Sequence, residues 1–95
     1  MKPLISIIIP VYNVAPFIKS CLHSVLNQTY KNIEIIIIND KTTDESISII
    51  KDVLQKEAPS VPIKIIEHAE NKGLSSARNT GIKNSRGEYL YFLDS

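Results

Sequence analysis

Ile33-Glu34-Ile35-Ile36-Ile37-Ile38-Asn39-Asp40 is the stretch that decides the fold class. Its apolar part, residues 33–38, is too short for a buried helix. It is also rich in β-branched side chains, which are stiff at χ1 and suit a pleated surface. Ile35 to Ile38 run consecutively, so both faces of the strand are apolar. Such a strand belongs in a parallel sheet with helices over each side. Working outward, residues 4–9 (Leu4-Ile5-Ser6-Ile7-Ile8-Ile9) repeat the pattern, and residues 63–66 and 89–93 form two further short apolar runs. Four strands are predicted.

Between the runs the period changes to that of a helix. Phe17, Ile18, Cys21, Leu22, Val25 and Leu26 form one helical stripe, with Pro16 suited to the first turn because its missing N–H has no partner there. Thr42 and Glu45 have the spacing of a capping box ahead of Ile47, Ile50 and Leu54. Pro59 and Pro62 end that helix and place the third strand near a sheet edge. A weaker helix is expected over residues 75–84, with Gly87 near its C-terminal cap. The order β-α-β-α-β-α-β reads as α/β, a mostly parallel, doubly wound sheet with helices on both faces.

Composition narrows the function. At 95 residues with 43% apolar and 22% charged residues, the chain has room for one domain with one real core. A net charge of +1 argues against a nucleic-acid partner held by bulk electrostatics. A single cysteine, Cys21, excludes an internal disulfide framework and a Cys-based zinc site. No apolar stretch approaches the length of a membrane span, and Pro10 interrupts the N-terminal apolar run before any small-residue cleavage site. A cytoplasmic location is expected.

In an open parallel sheet, ligands bind beyond the carboxyl ends of the strands, where the strand order reverses. Pro10, Val11, Tyr12 and Asn13 follow the first strand; Asn39 and Asp40 follow the second; Asp94 and Ser95 follow the fourth. Asp40 can accept from a base or a ribose, Tyr12 can stack on a ring, and Asp94 can bind a sugar hydroxyl or a hard cation. The glycines stand only at 73, 81 and 87, so no Gly-rich turn follows the first strand. That removes the dinucleotide fingerprint and the Walker-type loop. A bound diphosphate would need a metal and basic side chains, for which Lys72, Arg78 and Lys83 are candidates.

Plainer roles compete at each position. Asp40 could serve a turn, Asp94 could close a buried strand, and Tyr12 could pack over the sheet edge. Arg78 could be a surface ion-pairing residue, and Lys72, Lys83 and Arg86 a solvated face. Cys21 reads as a core residue, His23 as solvent-facing without a second ligand, and His68 as an ordinary surface histidine.

Four motifs in order carry a family resemblance: Ser6-Ile7-Ile8-Ile9-Pro10-Val11-Tyr12-Asn13; Ile37-Ile38-Asn39-Asp40; Gly73-Leu74-Ser75-Ser76-Ala77-Arg78-Asn79-Thr80-Gly81-Ile82; and Gly87-Glu88-Tyr89-Leu90-Tyr91-Phe92-Leu93-Asp94-Ser95. Together they resemble the N-terminal half of a family 2 glycosyltransferase. The resemblance implies a GT-A fold with a Rossmann-like nucleotide-binding half. It also implies transfer of a sugar, with inversion, from a nucleotide donor, often a UDP-sugar, to an acceptor hydroxyl on a glycan, a lipid-linked sugar or another molecule. Pro10, Val11, Tyr12 and Asn13 would then lie beside the base, Asp40 would match the acid that bonds uracil, and Arg78 would line the donor pocket. Asp94 would begin the Asp-x-Asp motif that places Mn²⁺ or Mg²⁺ on the diphosphate.

The chain departs from the pattern in three places. Asn39 replaces the first acid of the usual pair, and Lys41 stands where glycine is usual, which leaves the form of that turn open. The sequence also stops before the second aspartate of the metal motif. Residues 1–95 are therefore expected to be the donor-binding part of the domain, without the general base. The alternative is a non-catalytic nucleotide-binding module or an inactive fragment. A nucleotidyltransferase is disfavoured, since it usually has a Gly-rich basic loop after the first strand. The apolar fourth strand is expected to drive self-association.

Overall fold

The structure is a computed structural model that describes residues 2–94. Its elements run β1 (Ile5–Val11), α1 (Ala15–Leu26), β2 (Ile33–Asn39), α2 (Ser46–Glu57), β3 (Ile63–Glu67), α3 (Leu74–Lys83) and β4 (Tyr89–Phe92). The strands form a single sheet in the order β3-β2-β1-β4, and every pairing is parallel. The expected doubly wound α/β architecture is therefore present. The two strands apolar on both faces are the central ones, and β3, preceded by its prolines, is an edge.

Strand alternation divides the core into two layers. Ile7, Ile9 and Val11 of β1 and Ile33, Ile35 and Ile37 of β2 pack with Ile18, Leu22 and Val25 of α1 and Ile50 and Val53 of α2. Ile8, Ile36 and Ile38 point the other way and meet Ala77 of α3. Each isoleucine fully buried in this way contributes about 1.5–3 kcal/mol relative to leaving it in water. Close approach of α3 depends on Gly81, where a Cβ would fall 2.4 Å from Cγ2 of Ile8.

The crossover from β3 to β4 is anchored at the opposite end of the sheet from the crevice. The Ser6 hydroxyl donates to the buried Glu34 carboxylate at 2.6 Å, and the Arg86 N–H donates to the same oxygen at 2.6 Å. Burial alone would raise the Glu34 pKa. The Ser6 and Arg86 hydrogen bonds, with the charges of Lys64 and Arg86, outweigh it and hold it below the ordinary value.

Two local expectations are corrected. The Thr42–Glu45 capping box does not form: α2 starts at Ser46, and Glu45 at its N-cap makes no side-chain capping bond. Thr42 is instead engaged with Asn13 and Asp44. Gly87 does not cap α3, whose C-cap is Asn84. It lies against β1, its N–H donating to Ser6 Oγ at 2.8 Å, and a Cβ there would meet Ser6 Oγ at 2.5 Å and Ser6 N at 2.7 Å.

β4 is an edge strand whose four residues, Tyr89, Leu90, Tyr91 and Phe92, are all exposed. No helix among the described residues is long and apolar enough to cross a membrane.

Candidate functional site

β1 sends the chain through α1 to β2 on one side, while β4 arrives on its other side. This reversal splays the loops apart beyond the carboxyl end of β1. A cavity of about 370 Å³ opens there, lined by Pro10, Val11, Tyr12, Asp40 and Asp94 together with Val14, Asn71, Gly73, Leu74 and Ala77. Pro10, Val11, Tyr12, Asp40 and Asp94, from three different strand ends, thus line one cavity, while Asn39 and Arg78 are not among its lining residues.

Asp40 sits one residue past β2 and is only 3% exposed. Its backbone N–H continues the ladder to the Val11 carbonyl at 3.0 Å. Its Oδ1 faces His68 Nδ1 at 2.8 Å and accepts the Lys72 N–H at 2.8 Å, while Oδ2 accepts the Gly73 N–H at 2.8 Å. Asn71 Nδ2 donates to the Asp40 carbonyl at 3.1 Å. Burial raises the carboxyl pKa, but the bonds from His68, Lys72 and Gly73 dominate and lower it below the ordinary value. A carboxylate offers about four acceptor directions, so Oδ2, with one protein donor, retains acceptor capacity.

Lys41, next in sequence, adopts φ 58, the left-handed conformation glycine would take with less strain. Across this turn the Thr42 N–H donates to Asn39 Oδ1 at 2.9 Å.

Asp94 and Arg78 meet each other. Arg78 donates to Asp94 Oδ2 at 2.6 Å and lies 6.0 Å from the centroid of the Phe92 ring. The Arg78 Nε is buried without a hydrogen-bond partner. Ser95 lies outside the described residues. Among the described residues, no group of three His, Cys, Asp or Glu side chains could hold a metal.

Asn13 does not line the cavity. It adopts φ 52, and its Oδ1 accepts the Thr43 N–H at 3.1 Å while its own N–H donates to Thr42 Oγ1 at 2.8 Å. Asp44 completes this junction: Oδ2 accepts the Ala15 N–H at the start of α1 at 3.0 Å, and Oδ1 accepts the Ser46 N–H at 3.0 Å and the Ser46 hydroxyl at 2.6 Å. The loops after β1 and β2 are therefore zipped together behind Tyr12. Of the basic candidates, Lys72 contributes its backbone N–H to Asp40, and Lys83 ends α3.

Sequence reading missed three residues here: His68, Asn71 and Asp44. His68 is the clearest correction, because it is buried rather than a surface residue, its side chain 8% exposed between Asp40 and Thr80 Oγ1 at 2.7 Å. Its position one residue past β3, level with Asp40 one residue past β2, was the available signal.

The sheet order, the cavity at its switch point and the buried acid beyond β2 define a Rossmann-like α/β domain with a crevice at the carboxyl ends of its strands. A profile of Glycosyl transferase family 2 matches residues 6–95, and the chain belongs to that family. An uncharacterized glycosyltransferase, EpsJ, of Bacillus subtilis is 53% identical over 94 residues, which cover 99% of this chain and 26% of the relative. Glycosyltransferase GlyA of Streptococcus pneumoniae is 46% identical over 91 residues, 96% of this chain and 12% of the relative. The chain therefore spans about a quarter of EpsJ and less of GlyA. Among solved structures, mannosyltransferase PcManGT of Pyrobaculum calidifontis, in complex with GDP-Man and Mn²⁺, superposes with a TM-score of 0.87 at 25% identity, over 95% of this chain and 26% of that one. Residues 1–349 of S. aureus TarS in complex with UDP-GlcNAc superpose with a TM-score of 0.84 at 29% identity, over 99% of this chain and 26% of that one.

Proposed function

We propose that residues 1–95 form the donor-binding part of an inverting glycosyltransferase that takes a nucleotide-sugar, a UDP-sugar first. The observation that carries this reading is the buried Asp40 carboxylate at the switch-point cavity, anionic and with acceptor capacity left on Oδ2. Such a group selects a base that presents a ring N–H. Tyr12, 46% exposed on the cavity wall, supplies a face for that ring, with Pro10 and Val11 beside it. Asn13 acts from behind, by fixing the loop that carries Tyr12.

Asp94 lines the same cavity and is paired with Arg78, and the two are assigned to the diphosphate of the donor. Asp94 is one carboxylate of the kind that Mn²⁺ or Mg²⁺ uses, these ions taking the remaining oxygens from substrate phosphates and water. When bound, the ion would stabilise the charge that develops on the leaving nucleoside diphosphate. Arg78, with its unpartnered Nε, would add positive charge beside it. The acceptor is a hydroxyl on a glycan, a lipid-linked sugar or another molecule, and a cytoplasmic site of action accords with a nucleotide donor.

One observation favours a second reading, a nucleotide-binding module without turnover. Asp40 is held by three donors with its pKa lowered, and Asp94 is paired with Arg78, so neither cavity carboxylate suits the role of general base. The base that deprotonates the acceptor is accordingly assigned to polypeptide beyond these residues.

Calorimetric titration of the chain with UDP, with and without Mn²⁺ and with GDP as comparison, tests the proposal. Metal-enhanced, UDP-selective binding that Asp40→Ala removes is the expected outcome. Unchanged affinity in a folded Asp40→Ala chain would refute the assigned role.

A further inference from the structure

His68 is held from two sides. Its Nδ1 lies 2.8 Å from Asp40 Oδ1 and its Nε2 lies 2.7 Å from Thr80 Oγ1. These partners come from different elements: Asp40 follows β2, His68 follows β3, and Thr80 lies on α3. The His68 N–H also donates to the Asn39 carbonyl at 2.9 Å, which fixes the backbone under the ring. Two anchored ends and one anchored backbone leave the imidazole no freedom to turn.

The tautomer follows from the neighbours. Asp40 Oδ1 already accepts the Lys72 N–H, and Oδ2 accepts the Gly73 N–H, so the carboxylate is an acceptor. Nδ1 must then carry the proton and donate to it. In the neutral ring Nε2 is the acceptor, and the Thr80 hydroxyl donates to it. Oriented in this way, His68 and the Lys72 amide occupy Oδ1 and leave Oδ2, with its single protein donor, as the oxygen with more acceptor capacity left.

We propose that His68 is a positioning residue for the donor, fixing which oxygen of Asp40 meets the base and at what angle. The inference rests on the donor-binding reading above. The signal is distinct from a merely structural role, because it predicts which ring nitrogen matters. Asparagine places its amide near the position of Nδ1, whereas glutamine reaches the position of Nε2.

The test compares His68→Asn, His68→Gln and Thr80→Val for UDP affinity by calorimetry and for thermal stability. His68→Asn is expected to keep UDP affinity within about threefold of the parent chain, and His68→Gln to lose about tenfold or more, the size expected for one charge-assisted hydrogen bond. Both lower the melting temperature, since each gives up one of the two ring contacts. Thr80→Val lowers stability with a smaller loss of affinity than His68→Gln. Equal affinity of folded His68→Gln and parent would overturn the proposal, as would a loss in His68→Asn as large as in His68→Gln. If the parent chain binds no UDP, the donor-binding reading falls and takes this inference with it. If the parent binds and the variants do not differ, this inference alone falls. Imidazole ¹⁵N shifts of the parent chain test the premise even if every variant unfolds: a proton on Nδ1 is expected, and a ring protonated at Nε2 alone overturns the proposal.

Discussion

At Asp40, two opposing effects act on one carboxylate, and the hydrogen bonds from His68, Lys72 and Gly73 outweigh burial. The sequence revealed Asp40 as an acid just past a buried strand, but its partners lie 28 to 33 residues away. Such partners emerge only once β2 and β3 are paired and α3 is laid across them. His68 was misread for the same reason: nothing local shows Thr80, twelve positions on, closing over the ring. Lys41 illustrates strain at a single residue. Its φ of 58 costs a non-glycine residue about 1–2 kcal/mol, partly offset because glycine would lose more chain entropy on folding. Lys41→Gly is therefore expected to stabilise the chain by roughly 0.5–1 kcal/mol in urea unfolding. A destabilised variant would show that the lysine side chain contributes more than its backbone costs.

Helices and strands were legible because each depends on a short period in the sequence. The runs at residues 33–38 and 4–9 became the two central strands, and the Phe17–Leu26 stripe became α1 with Pro16 in its first turn. The connections were less legible. Thr42 and Glu45 have capping-box spacing, yet Thr42 bonds across to Asn13, and Asp44 reaches the Ala15 N–H at the start of α1. A spacing rule within one loop cannot anticipate a second loop that competes for the same side chains. Asp44→Ala is expected to leave the Ala15 and Ser46 N–H groups without this acceptor and to cost about 1–2 kcal/mol, the range of a lost helix cap. Urea unfolding measures it, and a loss below about 0.3 kcal/mol would mean that water replaces the carboxylate without penalty.

On the scale of the whole molecule, Glu34, Asp40 and Asp44 all titrate below their ordinary values in the folded chain. In each, burial opposes the shift and hydrogen bonds drive it. A depressed folded pKa contributes stability that is complete above the unfolded values, 4.5 for Glu and 3.8 for Asp, and is lost as pH falls toward the folded ones. The urea midpoint is expected to hold steady from about pH 7 to pH 5 and to drop below about pH 4. A midpoint that rises on acidification would contradict the hydrogen-bond assignments.

The exposed β4 edge, with Tyr89 and Tyr91 more than half exposed, offers unpaired backbone and apolar side chains to a second copy. Light scattering is expected to show mass rising with concentration, and a clean monomer at high concentration would count against that contact.

The most direct test of the donor site is to map UDP onto the chain by amide chemical shifts. The largest changes are expected at Val11, Tyr12, Asp40, Asn71, Gly73, Leu74, Arg78 and Asp94, around the switch-point cavity. Changes centred instead on the groove between α1 and α2, at Lys19, Glu45 and Asp52, would place the nucleotide on the wrong face of the sheet and contradict the assignment.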